Sequence, residues 1–192
     1  MATPRGIPAA AALLLTLLPG VRAQQLPRKA PDYAINLVDG KTLPLSQYQG
    51  HPVVMAFILT YCSHCQKTIG LLTADQKEFG PRGLQVLASA IESNAQAAVP
   101  AFLRNFQPPF PVGYNTGDSA LAFMQHPVVK VPMMPLVAFI DRGGNIRAQY
   151  EGDDPFFGDQ IEQNLRRQIE ALLKAGGPAK KSTAAPQKTG VQ

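Results

Sequence analysis

The feature that most constrains this chain is Tyr61-Cys62-Ser63-His64-Cys65, which holds its only two cysteines and follows directly on the apolar run 53–59. A C-x-x-C that follows a strand and opens a helix is a redox signature. The helix N-terminus offers free backbone N–H groups and a partial positive charge, and both favour a thiolate. Cys62 is therefore the expected nucleophile. A two-residue spacer makes a poor structural staple, because closing so short a loop removes little entropy from the unfolded chain.

The chain has 192 residues, enough for one domain with a real core. Its start reads as an export signal, residues 1–23: Arg5 in a short basic region, an apolar stretch at 9–18, and Val21-Arg22-Ala23 before the cut. The mature chain then begins at Gln24, in a periplasmic or secreted setting. The competing reading, an uncleaved membrane anchor, needs a longer run, since a bilayer-spanning helix takes about 20 apolar residues. Export matters for the cysteines, because an oxidising compartment lets a disulfide persist.

The net charge of +5 does not mark a nucleic-acid surface. Arg5 and Arg22 fall in the signal and Lys180, Lys181 and Lys188 in the tail. Setting these five aside leaves basic residues equal in number to the 13 acidic ones. A neutral body lacks the clustered cations and interleaved aromatics of a nucleic-acid binder.

Residues 24–31 are polar and proline-bearing, the composition of a flexible lead. Asp39-Gly40 joins two short extended segments, 33–37 and 41–43, into a hairpin, and 46–50 makes a turn or short helical connection. The run 53–59 is apolar on both faces, as in a strand covered by helices on each side. Cys65, Ile69, Leu72 and Phe79 recur at helical spacing until Gly80-Pro81. A second buried strand lies at 84–91. Ser93-Asn94 then supplies capping residues for a helix through Phe106, with Pro100 marking its first turn or a kink. A short strand at 110–114 and a short helix at 120–125 follow. The third apolar run, 136–140, turns at 141–145 into a hairpin. The last helix has Asp159 as its expected cap and a buried stripe of Ile161, Leu165, Ile169 and Leu172. Residues 176–192 are small, polar and basic, without periodicity, and read as a disordered tail. The domain proper is thus 32–175, an α/β unit with a central mixed sheet.

This element order, with C-x-x-C after the first buried strand and Pro135 just ahead of the strand that opens the hairpin, resembles the thioredoxin superfamily. Within it the chain is most similar to the exported TlpA/ResA-like branch of redoxin, AhpC/TSA-like thiol-disulfide oxidoreductases. The resemblance implies a thioredoxin-like three-layer sandwich, helices on both sheet faces, and an N-terminal β-hairpin. It also implies a cis peptide bond at Pro135, facing the disulfide; Pro132 is the weaker candidate. The implied activity is exchange of disulfides with protein thiols. Cys62 would attack, Cys65 would resolve, and Tyr61, Ser63 and Met134 would line the substrate groove. No cofactor or metal is implied beyond a redox-active Cys62–Cys65 disulfide. The partners would be protein substrates and a recycling redox protein, and the chain is expected to be a monomer.

Three positions depart from the family pattern. Tyr61 stands where Trp is common. Ala56 replaces the buried acid of thioredoxins, and Thr68 replaces the glutamate of ResA-like reductases. The usual proton acceptor for Cys65 is thus missing. His64 instead resembles the histidine of the DsbA and protein disulfide isomerase motifs, where a partly cationic ring stabilises the thiolate. A stabilised thiolate makes the disulfide a stronger oxidant.

Two alternatives use the same cysteines. A copper(I) carrier would ligate the metal through Cys62 and Cys65, with His64, Met133 or His126 as additions. The spacing differs from the three intervening residues of Sco-type proteins. A peroxiredoxin-like peroxidase would need proline and threonine where the chain has Met55 and Leu59. His51 and His126, each before a proline, suit turn or surface roles, and Asp153 and Asp154 suit a helix start.

Overall fold

The computed structural model describes residues 25–175; the expected signal segment, 1–23, and the tail, 176–192, lie outside them. The strands are β1 (Arg28–Lys29), β2 (Ala34–Asn36), β3 (Thr42–Pro44), β4 (Val53–Ile58), β5 (Gln85–Ala90), β6 (Val112–Tyr114), β7 (Leu136–Ile140) and β8 (Asn145–Glu151). They form one sheet in the order β1-β8-β7-β4-β5-β6-β2-β3. The helices are α1 (Ser63–Phe79), α2 (Ala95–Phe106), α3 (Gly117–Met124) and α4 (Ile161–Lys174).

β4 shows why this chain needs helices on both sides. All six of its residues are buried, and they divide by the two-residue period of a strand. Val54, Ala56 and Ile58 enter one apolar layer, while Val53, Met55 and Phe57 enter the other. β7 divides likewise, with Val137 and Phe139 facing one way and Leu136, Ala138 and Ile140 the other. Burying one such side chain contributes about 1.5–3 kcal/mol, so a run apolar on both faces is stable only between two layers.

Topology decides which helix covers which face. β4, β5 and β6 are mutually parallel. Parallel neighbours joined by right-handed crossovers keep their helices on one side, and α1 and α2 share that layer with α4. The chain then crosses to β7, antiparallel to β4. α3 lies on the opposite face, where Ala120, Phe123 and Met124 pack with Tyr33, Leu43 and Leu45. The expected N-terminal hairpin is present as β2 and β3.

Within the expected lead, 24–31, two residues are strand in the structure. Arg28 and Lys29 form β1, antiparallel to β8. Arg28 Nη2 donates to Phe123 O and to Gln149 Oε1, both at 2.7 Å, and Lys29 Nζ donates to Gly143 O at 2.7 Å. Without β1 this edge of β8 would offer unpaired backbone groups, and two long basic side chains reach carbonyls distant in sequence. Two helix starts also differ from expectation. Asp159 does not cap α4, whose N-cap is Gln160 without a side-chain bond; Asn94 precedes α2 with no capping bond. Asp154 does cap, its Oδ1 accepting from Phe156 N–H at 2.8 Å in the short turn Pro155–Phe157. Pro100 lies inside α2.

Candidate redox site

β4 ends at Ile58 and the chain turns at once, Cys62 N–H donating to Leu59 O at 3.1 Å. Cys62 is the N-cap residue of α1, with extended dihedrals. Its Sγ accepts from Cys65 N–H at 3.5 Å. The sulfur thus takes the place that a Ser or Asp oxygen takes in an ordinary cap, against N–H groups that have no partner within the helix.

Cys65 stands one turn further on, in a different environment. Its side chain is 0% exposed, and its Sγ accepts from Leu59 N–H at 3.5 Å. Burial pushes the Cys65 thiol well above its ordinary pKa. The hydrogen bond and charge of Cys62 and the charge of Glu92 push the same way, and the Leu59 N–H acts against them. Cys62 is only half-buried, and both cysteines are free thiols.

The sheet register brings Pro135 to the same place. β7 pairs with β4 so that Leu136 lies opposite Phe57. Pro135, one residue earlier, is therefore level with the end of β4, where the cysteine loop starts. The Met134–Pro135 peptide bond is cis and Pro135 is buried. Here β4 has a parallel neighbour on one side and an antiparallel one on the other, the kind of crevice where α/β sheets place ligands.

Among the other expected site residues, Tyr61, Ser63 and His64 are exposed, Tyr61 by 71%. The His64 ring makes no hydrogen bond among the described residues; the His64 carbonyl accepts from Thr68 Oγ1 at 2.9 Å. Met134 packs against both core layers, whereas Met133 is the exposed methionine beside it. His126 has its Nε2 3.3 Å from Glu151 Oε2. His51 Nδ1 lies 3.4 Å from Gly83 O. Among the described residues no three His, Cys, Asp or Glu side chains gather as a metal site would require.

Sequence reasoning missed two residues here. Gly152 sits against the proline loop: its N–H donates to Met133 O at 2.7 Å, and a Cβ there would overlap the Met134 carbonyl. Glu92 follows β5. Parallel pairing of Ile58 with Ala90, continued by Ile91 N–H to Ile58 O at 3.0 Å, carries Glu92 alongside Thr60. Its Oε1 accepts from Thr60 N–H at 3.1 Å and also from the Thr60 hydroxyl. Nothing in the local pattern marks Glu92, because its position depends on the register of β5 against β4.

A dithiol at the mouth of a central strand, with a cis-proline opening the antiparallel neighbour, defines a thioredoxin-superfamily protein of the ResA/TlpA-like kind. The chain belongs to the AhpC/TSA family, whose model matches residues 26–149. It is 22% identical over 143 residues to the thiol-disulfide oxidoreductase ResA of Bacillus thuringiensis subsp. konkukian, spanning 74% of this chain and 78% of that protein. Its fold is similar to that of a thiol:disulfide interchange protein of the thioredoxin family from Chlorobium tepidum TLS, with TM-score 0.64 and 22% identity over 79% of this chain and 99% of that one. A secreted Mycobacterium tuberculosis disulfide oxidoreductase homologous to E. coli DsbE is similar too, with TM-score 0.57 and 16% identity, over 73% of this chain and 96% of that one.

Proposed function

We propose that this chain is an exported thiol-disulfide oxidoreductase that exchanges disulfides with protein thiols through Cys62 and Cys65. The observation that carries the reading is the division of labour between the two sulfurs. Cys62 is reachable at the N-terminus of α1, while Cys65 is held one turn behind it with no exposure. The names of the ResA relative and of the interchange protein of similar fold support the same chemistry.

In the reducing direction, Cys62 thiolate attacks a substrate disulfide. An S–S bond forms between Cys62 and one substrate sulfur as the other leaves as thiolate. Cys65 thiolate then attacks Cys62 Sγ, releasing the second substrate thiolate and leaving the Cys62–Cys65 disulfide. The substrate gains two electrons and the dithiol loses two. Run backwards, the same steps oxidise a substrate dithiol. No metal or organic cofactor takes part, and a separate redox protein restores the pair. The backbone before Pro135 holds an extended substrate strand by edge pairing, between Tyr61 and Ser63 on one side and the Met133-Met134 segment on the other. His64, which lies between the two cysteines and directly before Cys65, favours the thiolate and shifts the pair toward oxidation or isomerisation.

Export rests on the signal pattern of residues 1–23, with cleavage near Ala23. Among the described residues no helix is long and apolar enough to cross a membrane. Trapping tests the mechanism. Cys65→Ala accumulates mixed disulfides with exported proteins and Cys62→Ser does not; equal yields from the two variants sink it.

A further inference from the structure

The two positions where the wider superfamily carries an acid near the second cysteine are filled by Ala56 and Thr68. Both are buried, Ala56 in the core and Thr68 with its hydroxyl spent on the His64 carbonyl. Yet a carboxylate does reach this region from another element. Glu92, just beyond β5, is anchored through Oε1 to the N–H and hydroxyl of Thr60, two residues before Cys62. Gln66 Nε2 donates to Thr60 O at 2.9 Å, so the loop that carries Glu92's anchor is tied to the first turn of α1 as well. Only one oxygen of the carboxylate is used. The other, Oε2, is buried and has no hydrogen-bond partner among the described residues. A buried carboxylate oxygen without a donor is costly, and such an orphan calls for an explanation, a redox or catalytic role being one.

We propose that Glu92 is the proton acceptor for Cys65 in the resolving step, its free Oε2 taking the thiol proton directly or through one water. This rests on the disulfide-exchange reading above. In the mixed disulfide, the Cys65 S–H bond breaks and its proton passes to the Glu92 carboxylate, leaving the electron pair on sulfur. Cys65 thiolate attacks Cys62 Sγ. The Cys62–Cys65 bond forms as the bond from Cys62 to the substrate sulfur breaks. The substrate sulfur leaves as thiolate and takes the proton from Glu92 or from solvent. The charge of Glu92 is felt at Cys65, where it adds to the effect of burial in holding the proton on sulfur. A base of this kind is a poor thiolate stabiliser and a good proton sink. The two roles predict opposite outcomes for one substitution.

The test uses the full chain loaded at Cys62 with glutathione, with release of glutathione followed in single turnovers at neutral pH. Glu92→Gln keeps an oxygen to accept from Thr60 and removes the charge and the basicity. Alkylation of Cys65 in a Cys62→Ser background reports its proton affinity. We expect Glu92→Gln to lower the pH at which Cys65 alkylates, because a negative charge is gone, and yet to slow glutathione release about a hundredfold. Alkylation of Cys62 stays unchanged. Release as fast as wild type, or faster in step with the lowered proton affinity, overturns the proposal and leaves Glu92 a structural anchor. If Glu92→Gln fails to fold, Thr60→Val serves instead: it frees the carboxylate from one anchor and should slow release several-fold, and an unchanged rate overturns the proposal. The wild-type arm separates the two readings. An adduct that forms and is never resolved removes thiol exchange and Glu92's role with it, whereas equal rates in wild type and variant remove Glu92 alone.

Discussion

Cys62 and Cys65 are the same residue type, three positions apart at the N-terminus of one helix, and almost everything else about them differs. Cys62 is half-exposed, outside the helix proper, and receives the N–H of Cys65. Cys65 is inside the first turn, fully buried, and held by burial as the protonated thiol. In the proposed mechanism, solvent contact and spare helix donors equip one sulfur to attack and to leave. A low-dielectric surrounding keeps the other silent until a sulfur appears next to it. On the proposed mechanism, the contrast teaches that position relative to the helix end, more than residue identity, assigns the roles. The severest way to break it is Cys62→Ser. Insulin or glutathione disulfide reduction should fall by about 10^4-fold or more, with no mixed disulfide formed. Residual turnover carried by Cys65 would mean that the buried sulfur is reachable after all.

Cys65→Ala should be milder and different in kind. The first attack by Cys62 should stay within about threefold of wild type, while steady-state turnover drops about 10^2–10^3-fold because the adduct is not resolved. Rapid mixing with a disulfide substrate separates the two phases. If both phases slow together, Cys65 supports the reactivity of Cys62 and the division fails.

The parts of this contrast that could be read from sequence are those carried by local pattern. Val53–Ile58 and Leu136–Ile140 are apolar without alternation, which requires a sheet covered on both faces. The cysteine spacing and the proline ahead of the third apolar run then place the site at a strand mouth. The rest depends on register. Glu92 becomes a neighbour of Thr60 only because β5 pairs with β4 as it does, and Gly152 meets Met134 only because β8 returns along β7. β1 is two residues long, and Arg28 finds its acceptors at Phe123 and Gln149, more than 90 positions away. No period or propensity encodes such contacts.

A third substitution sharpens the contrast by moving along α1. Asp75 lies on the same buried stripe as Cys65, Ile69, Leu72 and Phe79 and is 4% exposed. Burial raises its pKa to about 6, with Arg166 pulling it down and Glu78 and Glu162 pushing it up. Because the folded value lies above the ordinary 3.8, the folded state holds the proton more tightly than the unfolded chain. Stability from this group is therefore complete below about pH 3.8 and lost as pH rises to about 6. Asp75→Asn should then stabilise the protein by about 1–3 kcal/mol at pH 7 and by little at pH 4, as read from urea unfolding at the two pH values. No gain at pH 7 would mean that the interior along this stripe is more polar than its burial suggests. The same surrounding could not then hold the Cys65 proton.

The smallest effect is expected at His64, and it tests the exposed side. The ring is solvent-facing and makes no hydrogen bond among the described residues, so its influence on Cys62 runs through water. Charges near a helix N-terminus at exposed sites are worth about 0.3–1 kcal/mol and weaken with salt. His64→Ala should accordingly change the alkylation rate of Cys62 by less than about fivefold, and the difference should shrink at high ionic strength. Alkylation of Cys65 should not respond, since its proton is held first by burial. A change at Cys65 as large as that at Cys62 would show that His64 acts on the pair as a unit, through backbone order in the first turn of α1. The two sulfurs would then share one environment on that side, and the distinction between them would rest on exposure alone.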